Sequence, residues 1–144
     1  MENKSNNKQP ISYSPELHKL DVFVGNWKSI GESYPEGNSN ESLPSSSVDM
    51  TLIDTYEWIL EDYFVVHHWD GHVADTAFKG MEVIGYDLEE KGYISNFFDN
   101  AGNAVKYQVT VNNNVFTYTG ILQRATFEFS ANGNTMKTHW DKKK

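Results

Sequence analysis

Residues 65–72 read Val-Val-His-His-Trp-Asp-Gly-His, which sets three histidines and an aspartate within eight positions. Imidazole and carboxylate groups at such density can hold a metal ion or move a proton. On a strand, successive side chains point to opposite faces, so His67 and His68 cannot ligate one ion together. His68, Asp70 and His72 would share a face with Phe64 and Val66, and three ligands on one face are sterically conceivable. A bulge or turn at Asp70-Gly71 would break that register. The reading adopted is therefore strand texture without a metal. It places His68 at a wet pocket mouth as a ligand contact, and sends His67 and Trp69 to the other face.

Glu82 is the second chemically suggestive residue. A period of two groups it with Gly80, Ile84 and Tyr86, and a carboxylate that faces an interior must be paired, hydrogen-bonded or protonated. The alternative turns Glu82 outward and puts Met81 and Val83 inside. Nucleophilic catalysis finds no support, because the chain has no Gly-x-Ser-x-Gly and no phosphate-binding glycine loop. No catalytic residue is assigned.

The elements that must position these groups are strands. In a chain of 144 residues, one core is expected, here over residues 14–144 after a polar, aperiodic and flexible arm at 1–13. Twelve basic against 20 acidic residues give a formal charge of −8, which repels polyphosphate backbones and argues against nucleic-acid binding. The absence of cysteine removes disulfides, thiolate nucleophiles and cysteine-ligated metals. No apolar run is long enough to span a bilayer, and the start MENKSNNKQP lacks the hydrophobic segment of a signal peptide, so a cytoplasmic location without membrane contact is expected.

Ser14 and Pro15 can open a short helix carrying Leu17 and Leu20. After Val24 the period changes to two. Val48, Met50 and Leu52 alternate with Asp49, Thr51 and Ile53, and this strand continues through Tyr56 and Trp58. Val105, Tyr107, Val109 and Val111 oppose Lys106, Gln108 and Thr110, while Ala125, Phe127 and Phe129 oppose Arg124, Thr126 and Glu128. Residues 37–47 form a low-complexity polar loop. Turn signals fall at 89–92, 100–103, 112–114 and 131–134. About nine strands joined by short turns predict an all-β fold, an antiparallel up-and-down barrel with a short N-terminal helix.

The segment FVGNWKS at 23–29, straight after the helix, resembles the glycine-x-tryptophan signature of calycins, with Gly25 and Trp27 in its key positions. The segments at 54–70, 79–87, 93–103 and 127–141 resemble, in order and spacing, the family called domain of unknown function 1579. That resemblance implies a calycin-like (lipocalin-like) barrel and assigns no catalytic residue or ligand. It also implies a further tryptophan-containing segment and a final strand after His139-Trp140-Asp141. A missing strand leaves an edge for a neighbouring copy or the N-terminal arm to pair with, so a homodimer is expected. Tyr34-Pro35 is similar to a feature of nitrobindins, calycin-like barrels that bind haem through a histidine near the C-terminus. His139 is the positional candidate, but Met136, Thr138 and Trp140 form the apolar side of its strand, so it points outward and haem is not assigned.

Inward-facing Tyr107, Phe116, Tyr118, Phe127 and Phe129 predict either a filled core or an aromatic-lined cavity for one small apolar or aromatic molecule. The ligand contacts expected are Trp58, His68, Glu82, Tyr107, Tyr118 and Phe127. Two other readings stay open: an enzyme using a Glu/His pocket for acid–base chemistry, and a filled barrel acting through subunit or partner contacts.

Overall fold

The computed structural model describes residues 15–33 and 48–142. The expected arm at 1–13, the Ser14 cap, Tyr34-Pro35 and the polar loop at 37–47 lie outside the described residues. Helix α1 (Pro15–His18) continues into a 3-10 turn (Lys19–Phe23). Proline suits the first helical position, where no N–H is needed. The turn ends at Val24, which is extended, and leaves Leu17, Leu20 and Phe23 fully buried.

Nine strands follow among the described residues. They are β1 (Gly25–Ser33), β2 (Val48–Ile59), β3 (Phe64–Val73), β4 (Thr76–Asp87), β5 (Gly92–Asp99), β6 (Ala104–Asn112), β7 (Val115–Thr119), β8 (Gln123–Phe129) and β9 (Met136–Lys142). They form one sheet in chain order, each strand antiparallel to the next. This is the meander expected from the alternation, with its short helix in place. The sheet curls into a half-barrel, far enough that Trp27 on β1 meets Phe129 on β8 at 5.9 Å between ring centroids. Among the described residues β1 and β9 do not pair with each other, so each leaves an edge of the sheet open.

Alternate residues of each strand turn inward, and the helical segment closes one end of the curl. Phe23 packs on Tyr56, Phe116 and Phe129 at 4.8–5.1 Å. Burying a side chain of that size stabilises the fold by about 1.5–3 kcal/mol. Three sheet side chains fix the plug by hydrogen bonds. The Trp27 indole donates to the Phe23 carbonyl (2.8 Å), the Trp58 indole to Asp21 Oδ1 (2.9 Å), and the Tyr93 hydroxyl to the Glu16 carbonyl (2.5 Å).

Each turn expected from glycine and asparagine is a turn, with Gly102 and Gly133 at positive φ. The β2–β3 turn is different in kind. Leu60, Glu61 and Asp62 all take positive φ, a conformation that costs an ordinary residue about 1–2 kcal/mol. No helix in the described residues is long and apolar enough to cross a membrane.

Candidate functional site

The chemically capable residues of the interior form a diagonal row across five adjacent strands. On β3, Val65, His67 and Trp69 are buried, whereas His68 and Asp70 are exposed on the outer face. The alternation in β3 is therefore real, but its phase is opposite to the one expected for His68. The pairing explains why. His67 lies directly opposite Tyr56 on β2 and Glu82 on β4, both of which face the interior. Registers of two commit every second residue of a strand once one is placed.

From that placement the contacts follow. His67 Nδ1 lies 2.6 Å from Glu82 Oε1, directly across the β3–β4 pair. Asp54 pairs with Trp69, two residues along, and reaches His67 diagonally, with Oδ1 2.8 Å from Nε2. The second oxygen of each carboxylate accepts a serine hydroxyl: Ser29 Oγ donates to Asp54 Oδ2 (2.6 Å) and Ser95 Oγ to Glu82 Oε2 (2.5 Å). Asp54, His67, Glu82 and Ser95 are all less than a tenth exposed. The Tyr56 ring stacks on the imidazole at 3.9 Å and 5°.

An imidazole bonded to a carboxylate at each nitrogen needs a proton in both bonds. Burial works against the charged ring, but the hydrogen bonds its N–H groups make to Asp54 and Glu82 outweigh it and hold the His67 pKa above its usual value. The trio thus sets one imidazole between two acidic side chains, with a hydrogen bond at each ring nitrogen. No lysine or arginine among the described residues pairs with it. Burial and the Glu82 charge push the phenols of Tyr56 and Tyr118 far above their ordinary range, so both stay protonated donors.

Aromatic rings pack beside this row. Trp69 touches Phe97 (4.8 Å) and His67 (5.1 Å), and Tyr118 touches Phe127 (4.8 Å) and Tyr107 (6.0 Å). Trp140 on the edge strand β9 packs against Phe97, Tyr107 and Phe127 and is 38% exposed. Two glycines make this packing possible by close approach. A Cβ at Gly80, opposite Trp69, would sit 2.0 Å from the indole, and one at Gly120 would sit 2.8 Å from the Tyr107 ring. Two buried donors in this lining have no acceptor among the described residues: Trp69 Nε1 and the Tyr118 hydroxyl.

The six residues singled out in the sequence are thus divided. Glu82, Tyr107, Tyr118 and Phe127 come together in the interior. Trp58 packs against the core near the plug, its indole bound to Asp21. His68 is exposed and lines a shallow outer groove of about 340 Å3 with Met81, Phe98 and Lys79. His139 also points outward, 3.3 Å from Asp141. Among the described residues no three His, Asp or Glu side chains are grouped to hold a metal ion. The residues sequence reasoning missed are Ser29, Asp54, His67, Trp69 and Ser95. Asp54 was findable, since it continues the Leu52–Tyr56 alternation into the interior.

A nine-stranded antiparallel meander, curled over an aromatic interior with one buried His–carboxylate row and plugged by a short helix, defines the class. Within it, the chain belongs to the family described as protein of unknown function DUF1579, whose model matches residues 13–144. None of the curated proteins matches the chain.

Proposed function

We propose that the concave face of the sheet binds one small, largely aromatic or apolar molecule that carries a hydrogen-bond acceptor. The observation that carries this reading is the pair of buried donors, Trp69 Nε1 and the Tyr118 hydroxyl, that lack acceptors among the described residues. A buried donor left unpaired costs about 1–3 kcal/mol, so such groups persist where a ligand or water completes them. Both flank the same pair of side chains. Trp69 stands against His67, and Tyr118 is close enough to Glu82 for that charge to raise its phenol pKa. Phe97, Tyr107 and Phe127 supply ring contacts around them.

Two acidic side chains, Asp54 and Glu82, share a single imidazole in this row, which favours a neutral molecule over a further carboxylate. Acid–base catalysis has less support, because both nitrogens of His67 are already committed to carboxylates and neither serine contacts the imidazole. The test is thermal denaturation against a panel of neutral aromatic ketones and amides, with matched benzoates as controls. Neutral acceptors should raise Tm with concentration, and a hundredfold excess over Kd corresponds to about 2.7 kcal/mol. No stabilisation by any neutral member, or stronger stabilisation by the benzoates, would overturn the reading.

A further inference from the structure

The outer edge of β9 carries a symmetric pattern of charge. β9 pairs with β8 on one side only, and no described residue pairs with its other side. All of its residues except Met136 are exposed. An open row of backbone donors and acceptors is a template for a further strand. Its charges are arranged about His139: Lys137 lies two residues before it and Asp141 two residues after, all on the outer face.

We infer that two copies of this chain join through antiparallel β9 edges about a twofold axis at His139, setting Lys137 of each copy opposite Asp141 of the other. In an antiparallel pair centred on one residue, positions equally far before and after it face each other. The axis at 139 therefore makes two opposite-charge pairs, each with Cβ atoms about 5 Å apart. On the inner face it sets Trp140 beside Thr138 of the second copy, which covers an indole now 38% exposed. Exposed Ile121 and Leu122, in the loop that leads into β8 and so to the partner of β9, extend the apolar surface at that end. The interface is isologous and closed, so association through this edge stops at two.

Charge reversal tests this arrangement directly, with mass measured by light scattering and native mass spectrometry. Wild-type protein should be a dimer. Lys137→Asp alone and Asp141→Lys alone each create two like-charge pairs and should weaken association at least about tenfold. Both side chains are exposed, and circular dichroism checks that each variant keeps the sheet. Mixing the two single variants should restore a dimer containing one copy of each, and the double variant should dimerise with itself. A monomeric wild type, single variants that dimerise as wild type does, or a mixture that stays monomeric would each overturn the inference.

Discussion

His67 and Glu82 face one another directly across β3 and β4, with Nδ1 2.6 Å from Oε1, while the adjacent His68 points away from both to the outer surface. Two neighbouring histidines of the same strand therefore have opposite energetic standing. Substitution of His67 by Phe leaves two buried acidic side chains without their shared hydrogen-bond partner and should cost about 3–5 kcal/mol. His68→Phe changes an exposed position and should stay within about 0.5 kcal/mol of wild type. Urea denaturation of the two variants measures the contrast, and equal effects would refute the assignment of faces.

The trio also fixes the sign of a pH dependence. The His67 pKa is raised in the folded state from a value of 6.5, so above pH 6.5 the folded state holds a proton that the unfolded state has lost. The stabilisation is complete below 6.5 and declines as pH rises through the elevated folded value. Stability followed between pH 6 and 9 should fall in wild type, and a His67→Gln variant should lack that part of the slope.

Gly80 is opposite Trp69 because only a hydrogen fits beneath the indole. Gly80→Ala would also press on the Phe98 carbonyl at 2.5 Å, so the ring cannot simply yield. A loss of about 1–3 kcal/mol is expected, with a shift in tryptophan emission as the Trp69 ring is displaced. Unchanged emission and stability would show that the ring does not lie over this glycine.

Much of the architecture was legible from the chain because period-two alternation and glycine or asparagine turns are local signals. Val105–Val111 and Ala125–Phe129 read correctly for that reason, and of the two orientations left open for Glu82 the structure has the inward one, in phase with Ile84. The phase of β3 was not legible. Val65, His67 and Trp69 compete with Phe64, Val66 and His68 as an apolar face, and Val66 is buried even on the outer side. Only the partners Tyr56 and Glu82, distant in sequence, decide between them. The turn at Leu60–Asp62 carries neither glycine nor asparagine and only Asp62 as a turn-favouring residue, so its run of left-handed backbone left little signature to find.

The central claim is that Trp69 and Tyr118 hold donors for a bound molecule, and Tyr118→Phe probes it most directly. The variant deletes one hydroxyl and keeps the ring that packs on Phe127 and Tyr107. Removing an unpaired buried donor should leave the ligand-free protein as stable as wild type or raise it by about 1 kcal/mol. The same change should weaken, at least about fivefold, the binding of whichever neutral aromatic stabilises the wild type. A ligand-free variant destabilised by 1 kcal/mol or more, with ligand affinity unchanged, would show that the hydroxyl serves the fold and would contradict the account.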